Sequence, residues 1–542
     1  MKPYKNITRF ATPILAVIAM LGCTKLDEGL NSTLTNAQVS SSLGAAGTGL
    51  LLSAAYADLG GPLTSQDRVF SLEENSSDES LVPTRGGDWD DNGVWRVVHN
   101  HTWNADHDQI LQVFNGLNKV NFDATNVLGF NPTPGQAAEA RFVRALALYY
   151  LLDLYGQYPI RNPGDNLLLA PVVKTGVDAA NFIISELNAI LPNLPAGNGT
   201  ALGNPDAAKT LLMKLYLNKG AYANRAAPTF DPADMAQVIT LGNAIITSGK
   251  YSYSANYFDN FNPKNDNSKE AIFRYDNTSG VGANNSGIAA RWNMTLHYNC
   301  WTPNNPNAGW NGFSTISEFY NAFNTTAGPT AYGPADTLLD PRIGGRYYKG
   351  VTDISGMRPG LLVNQQYNES GVAIQDRKGN PLAFTPTIAA NMIEVGTNLE
   401  VTGIRVLKYA PDYAQYGGPS GNDLMIFRYS DVVLMVAEAK QRTGDAPGAL
   451  TMVNGLRTAR GAAPLAAMAL VNTSNVDDPL TLLAERGREL YWESHRRTDL
   501  IRFGVFLKPW GLKPTDDPKN LLFPIPNQAL AANPNLKQNP GY

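Results

Sequence analysis

Apolar positions along this chain keep a helical period in six stretches and lose it over two long ones. The first periodic stretch, 137–155, opens with Glu139, Arg141 and Arg144 and is apolar on every side from Ala145 to Leu152. That pattern predicts a central helix buried all round. Residues 206–220 (DAAKTLLMKLYLNKG) and 234–248 (DMAQVITLGNAIITS) read as a helical pair closed by Gly249. Residues 427–442 and 446–459 form a second pair across the tight turn Thr443-Gly444-Asp445. Helix, turn and helix over about 34 residues is the period of a tetratricopeptide unit, whose stacking builds a curved solenoid. The alternative for any one pair is a plain helical hairpin in an α-rich core. The sixth stretch, 481–497 (TLLAERGRELYWESHRR), reads as one continuous helix.

Residues 254–335 and 345–423 are rich in Asn, Gly, Pro and Tyr and show little helical period. They predict long loops with short strands between them. Loops of this length in a compact protein serve binding or are disordered, and their aromatic content favours binding. Six of the eight tryptophans fall in two windows, 68–104 and 291–320, among Asn, Asp and Arg.

The N-terminus changes the picture. Lys2, Lys5 and Arg9 precede an apolar run from Phe10 to Leu21, which ends at Gly22-Cys23. The run is too short to span a bilayer but suits the apolar core of a secretory signal. A small residue followed by cysteine reads as a lipoprotein signal, with residues 1–22 removed and acyl chains on Cys23. The alternative is an ordinary secreted protein in which Cys23 is incidental. Cys300 then has no second cysteine to bridge to, so the core holds the fold together. Removing residues 1–22 takes three of the 43 basic residues and none of the 47 acidic ones, leaving a charge of 40 − 47 = −7. Such a balance argues against nucleic acid as a partner. No later segment is apolar for long enough to cross a membrane, so the anchor is the expected membrane contact.

Three motifs carry candidate chemistry. Glu485, Glu489 and Glu493 fall four residues apart on one predicted face. Like charges at that spacing repel, which calls for compensating cations such as Arg486, Arg488, Arg496 and Arg497. The catalytic reading takes two of these glutamates as the ~5–5.5 Å carboxylate pair of a retaining glycosidase. Glycosidase acids sit on separate elements facing a cleft and free of arginines, so an ion-pair network is favoured. Asp88-Trp-Asp90-Asp-Asn92-Gly93 reproduces the opening of a calcium loop, with His99 where a bidentate Glu belongs. It reads either as a Ca²⁺ site using Asp88, Asp90 and Asn92 or as an Asx-rich turn. His99, His101 and His107 cluster with Asp106 and Asp108, as a transition-metal site would, but without a fourth ligand at fixed spacing.

The order of blocks along the chain resembles the SusD/RagB family of Bacteroidetes surface lipoproteins. The blocks are CTKLDE (23–28), SDE (77–79), PTRGGDW (83–89), EARFVRALALYYLLDLYGQYPI (139–160), AAKTLLMKLYLNKG (207–220), FRYSDVVLMVAEAKQRTGD (427–445), LLAERGRELYWESHRRTDLIRFG (482–504) and FPIPNQALAANPNLKQNPGY (523–542). The resemblance implies a mainly α fold, a tetratricopeptide-like superhelix of helical pairs packed against an irregular loop-rich half with a few short strands. It implies a single domain over 23–542, with helical repeats at about 137–250 and 424–504 and ligand-binding insertions at about 65–105 and 254–423. It also implies a lipid-anchored protein of the outer membrane, facing outward. There it would act without catalysis or required cofactor and deliver oligosaccharide to a SusC-like TonB-dependent transporter. Peptide capture within the same family and, further off, a glycoside hydrolase are the alternatives. Sugar recognition needs flat apolar faces against pyranose C–H surfaces and polar side chains for the hydroxyls. The residues that meet this need are Arg68, Arg85, Trp89, Trp292, Asn293, Tyr298, Trp301 and Trp310, with Trp310 first among them. Leu81-Val82 stands where some glycan-binding members carry an aromatic after the Asp-Glu pair, so no particular sugar follows.

Overall fold

The computed structural model describes residues 36–278, 287–300, 309–325, 340–345, 358–368, 371–412 and 420–542, with side chains from residue 46 onward. Eight helices pack in sequence, each against the next: α1 (Asn36–Asp58), α2 (Asp108–Leu128), α3 (Pro134–Tyr155), α4 (Gly176–Ile190), α5 (Pro205–Ala223), α6 (Pro232–Ile246), α7 (Tyr429–Arg442) and α8 (Ala446–Ala459). Their starts are written locally. Thr133 and Gln136 form a reciprocal capping box on α3, and Asn204, Asp231 and Asp445 each accept from a first-turn N–H of α5, α6 and α8. Helix α3 is the buried axis of the row, enclosed without a break from Ala138 to Tyr155 except at Arg141. It ends where Gly156 takes a left-handed φ of 71°.

The long insertion leaves after α6 and returns at α7, yet α6 and α7 pack directly on each other. Its two ends meet as an antiparallel pair, 271–275 with 424–428, in the register Leu424↔Tyr275 and Arg428↔Ala271. The insertion is therefore an excursion from a continuous helical row. Short two-stranded ladders stiffen it: 360–362 with 405–407, 364–365 with 383–384, and a parallel pair, 84–85 with 393–394, that ties it to the earlier loop. The helical pairs and the loop-rich half match the expected architecture. Helices α1, α2 and α4 fall outside the expected helical stretches. Among the described residues, no helix is long and apolar enough to cross a membrane.

The expected helix over 481–497 is two helices, α9 (Leu482–Leu490) and α10 (Arg496–Arg502). Between them Tyr491 is extended and Trp492 and Ser494 take positive φ of 57° and 63°. The break takes Glu493 out of the helix that carries Glu485 and Glu489, and the three carboxylates share an overlapping set of cations, with Arg342 bridging the first two and Arg428 the last two. Glu485 takes Arg342 (2.7 Å), Arg488 (2.7 Å) and Arg457 (2.8 Å). Glu489 takes Arg460 (2.7 Å), Arg428 (3.0 Å) and Arg342 (3.0 Å). Glu493 takes Lys408 (2.5 Å) and Arg428 (2.6 Å). The compensating network is there, although most of its cations come from distant segments. Burial alone would raise these carboxyls; the guanidinium groups around Glu485 and Glu489 outweigh it and hold both well below the usual range. Buried and ringed by arginines, they face no cleft. α11 (Asn527–Ala532) closes the described fold.

One acid in this region is shifted the other way. Burial, then the charges of Asp78 and Glu318, push Asp477 from 3.8 up to about 7, against the pull of Arg496. A raised acid binds its proton more tightly folded than unfolded, so the protein loses stability as pH rises from about 4 to about 7 through this group. Asp477→Asn removes the titration. Its unfolding free energy is expected to exceed that of wild type by about 2 kcal/mol at pH 8, discounting about 1.36 kcal/mol per unit for residual solvent, and to converge with it at pH 4. Chemical denaturation at the two pH values is the check, and a difference independent of pH refutes it.

Candidate ligand-binding site

The two tryptophan windows meet in space. After the strand at 84–85 the chain runs through left-handed residues: Trp89 (φ 60°), Asp91 (38°), Asn92 (56°) and Gly93 (79°). A bulky side chain at positive φ costs about 1–3 kcal/mol and marks a position that the surroundings enforce. The enforcement is visible. The indole of Trp89 packs edge-on against Trp95 (5.3 Å between centroids) and Phe313 (5.4 Å), and its Nε1–H donates to the carbonyl oxygen of Trp310 (2.7 Å). Trp310 is fixed in turn by its N–H, which donates to the Asn293 carbonyl (2.6 Å). Two glycines make the approach feasible. A Cβ at Gly309 would lie 2.1 Å from the His297 carbonyl oxygen, and one at Gly312 would lie 2.3 Å from the Trp89 ring. Trp89 and Trp310 end half-buried with centroids 6.4 Å apart and ring planes at 45°.

A polar arm continues from this pair. The Tyr298 hydroxyl donates to the carboxylate of Asp88, joining residues 210 apart in sequence. The Arg377 guanidinium lies 3.9 Å over the Tyr298 ring. Its Nε–H donates to Glu400 Oε1 (2.7 Å), while Glu400 Oε2 accepts from His297 Nε2 (2.8 Å). The His297 Nδ1 accepts from the Asn299 N–H (3.0 Å), which places the ring proton on Nε2. Burial first, against the pull of Glu400, brings His297 down to about 4, so the ring is neutral at ordinary pH. Burial and the Asp88 hydrogen bond push the Tyr298 phenol up, so it stays protonated. Arg377 is thereby held by its Nε, its backbone N–H and the ring beneath its guanidinium, and its side chain is exposed. Nothing in the sequence around Arg377, a turn within Asp-Arg-Lys-Gly-Asn, marked it for this place.

Of the eight expected ligand residues, Trp89, Tyr298 and Trp310 come together at this surface. Arg68 does not: it pairs with Asp67 and lines a separate polar cleft of about 740 Å³ with Tyr275 and Lys119. Three others are corrected. Arg85 is buried, with its guanidinium bonded to Thr402 O (2.8 Å), Thr402 Oγ1 (3.0 Å) and Ser314 Oγ (3.2 Å), so it is a strut between loops. Trp292 and Asn293 are 1% and 2% exposed and belong to the floor beneath the site. Trp301, like Cys23, lies outside the described residues.

The calcium-loop residues serve the site differently. Asp88 takes the Tyr298 hydroxyl, Asp90 pairs with Arg96 (3.0 Å) and Asp91 accepts the Trp95 indole N–H (2.7 Å). These carboxylates diverge to separate protein partners, as the side chains of an Asx-rich turn do. The three histidines are likewise spent apart: His99 on the Ser80 and Gly511 carbonyls, His101 on Asp516 and Ser76, His107 on Val94. Among the described residues no three His, Cys, Asp or Glu side chains gather as a metal site.

A family model described as the SusD family matches residues 269–542, half of the chain. The protein belongs to the SusD family. Over 512 residues, 88% of this chain and 85% of the relative, it is 25% identical to the starch-binding protein SusD of Bacteroides thetaiotaomicron. Its fold is similar to that of a SusD superfamily protein from Parabacteroides distasonis, with a TM-score of 0.67 at 18% identity, covering 94% of this chain and all of the other. It is also similar to surface glycan-binding protein A from Bacteroides thetaiotaomicron, solved in complex with laminarihexaose (TM-score 0.60, 17% identity, 91% and 98% covered). Of the residues at the aromatic surface, Tyr298, Trp310 and Arg377 fall inside the matched segment and Trp89 outside it.

Proposed function

We propose that this SusD-family protein is a non-catalytic glycan-binding lipoprotein of the cell surface, which captures oligosaccharide and passes it to a TonB-dependent transporter in the outer membrane. The observation that carries the reading is the Trp89–Trp310 pair, two half-buried indoles locked at 45° with hydrogen-bonding groups alongside. Pyranose rings present apolar C–H faces that rest on indoles, and hydroxyl pairs that a guanidinium fork and a carboxylate can read together. Arg377 and Asp88 supply those groups. Glycan binding by the starch-binding relative and by the laminarihexaose complex supports the same class of ligand. The non-catalytic part rests on the carboxylates. Glu400 is held by Arg377 and His297, and Glu485 and Glu489 are enclosed by arginines. The anchor at Cys23 and the transporter follow from the family resemblance of the whole chain.

Affinity electrophoresis of the mature chain through gels containing individual polysaccharides, with a pooled peptide mixture titrated in parallel, tests the reading. Retardation by one glycan class without shortening of its chains is expected. Release of sugars, or binding of peptides alone, overturns it.

A further inference from the structure

A cavity of about 300 Å³ that shares no residue with the aromatic site lies between α2, the strand 157–160 and α11. Phe114, Phe122, Ile160 and Leu536 give it apolar walls. Four asparagines line it as well: Asn115 is exposed, and each of the other three is held so that one end is committed. Asn118 Nδ2 donates to the Phe114 carbonyl (2.9 Å) and Asn121 Nδ2 to the Pro159 carbonyl (2.9 Å). Asn533 Oδ1 accepts from the Asn535 N–H (3.0 Å). Those bonds fix which end of each amide is which. What remains is the Oδ1 of Asn118, the Oδ1 of Asn121 and the Nδ2 of Asn533, none with a partner. Asn121 and Asn533 are each 7% exposed, so solvent does little for them. A buried amide end without a partner is rare enough to need a reason, and three around one cavity call for a common one.

Among the described residues no acid lines the cavity, and the one cation there, Arg161, is turned to the Asn166 (3.1 Å) and Leu167 (3.4 Å) carbonyls. One N–H shared between the two acceptors of α2, and a C=O for the donor, make the complement between apolar walls an uncharged group that carries both. We propose that this cavity binds a neutral secondary amide bearing a small apolar group. The ligand's N–H faces the asparagine acceptors on α2, its carbonyl takes the Asn533 donor, and its apolar group rests on Phe122 and Leu536. An acetamido sugar and a peptide both present that chemistry.

Saturation-transfer NMR on the mature chain distinguishes them, with three probes: methyl N-acetylglucosaminide, N-acetyl-leucine methylamide and methyl glucoside. Transfer to one or both amides, and at least tenfold less to methyl glucoside, is expected. The responding amide names the source, and equal response of both assigns the site to the amide group itself. Ala532, exposed at the cavity edge, is replaced by Trp to fill the cavity, and Asn121→Leu removes an acceptor. Each should cut amide binding at least tenfold. Trp310→Ala should leave it unchanged, which separates this site from the glycan reading. The proposal is overturned if neither amide binds, if methyl glucoside transfers as strongly as the amides in the Trp310→Ala background, where the glycan surface is disabled, or if Ala532→Trp binds like wild type with an unchanged melting temperature. Should that variant fail to fold, Asn121→Leu binding like wild type is the overturning result.

Discussion

Glu489→Ala is expected to cost at least about 4 kcal/mol, enough to leave most of the chain unfolded under mild conditions. Its carboxylate is the shared anion of Arg342, Arg428 and Arg460, all at 1% side-chain exposure or less. Breaking a buried pair costs more than the pair contributes, because the surviving charge stays in low dielectric without a counter-ion. Here three guanidinium groups are affected, and Glu270, which also binds Arg428 (2.9 Å) and Arg460 (2.8 Å), covers only part of the loss. Methylenes cannot compensate, since alanine also leaves a void. Urea unfolding followed by tryptophan fluorescence measures the effect, with Glu489→Gln as the isosteric comparison. The glutamine should fall between, keeping the shape and an acceptor oxygen but losing the charge. An alanine variant with the wild-type midpoint would show that these arginines find other anions, and the network would lose its structural role.

The second large effect is on binding. Trp310→Ala should weaken glycan binding by at least about 30-fold, or about 2 kcal/mol, the scale of a well-packed aromatic hot spot. The melting temperature should hardly move, since Trp310 anchors its neighbours through its backbone N–H and C=O, which alanine keeps. Trp89→Ala is the instructive contrast. Its ring packs against Trp95 and Phe313 as well, so it should lose both affinity and stability. Arg377→Lys keeps the charge but not the planar fork, and is expected to lose about tenfold in affinity. Calorimetry against whichever polysaccharide retards the wild type provides the measurement. Undiminished binding by Trp310→Ala would place the glycan elsewhere on the molecule.

The periodic helices were legible because their reason is local. The Thr133, Asn204, Asp231 and Asp445 caps and the apolar faces lie within one element each. Helix α2 is written in the same terms, through Ile110, Val113, Leu117, Val120 and Ala124, but its polar neighbours blur the pattern. The break after Leu490 could not be read in this way. It depends on where Arg428 and Lys408 stand, more than sixty residues earlier, and on the direction Glu493 must take to reach them. The site divides similarly. Clustered tryptophans pointed to the right windows, but within a window the sequence does not separate Trp310, which looks outward, from Trp292, which is floor. Arg377 and Glu400 gave no signal, because their role exists only through contact with Tyr298 and His297.

The segment after Thr481 also sets an order of events. Arg496 neutralises Asp78 (2.6 Å), the Trp492 N–H caps Glu79 (3.1 Å), and Thr498 holds Asp153 (2.7 Å). The Phe523 N–H bonds the Leu154 carbonyl (2.9 Å), and Asn539 bonds that of Tyr155 (3.0 Å). The ribosome delivers the N-terminal side first. Asp78, Glu79 and Asp153 are therefore made long before the partners that hold them, and the last segment to be synthesised closes contacts that the earlier ones leave open.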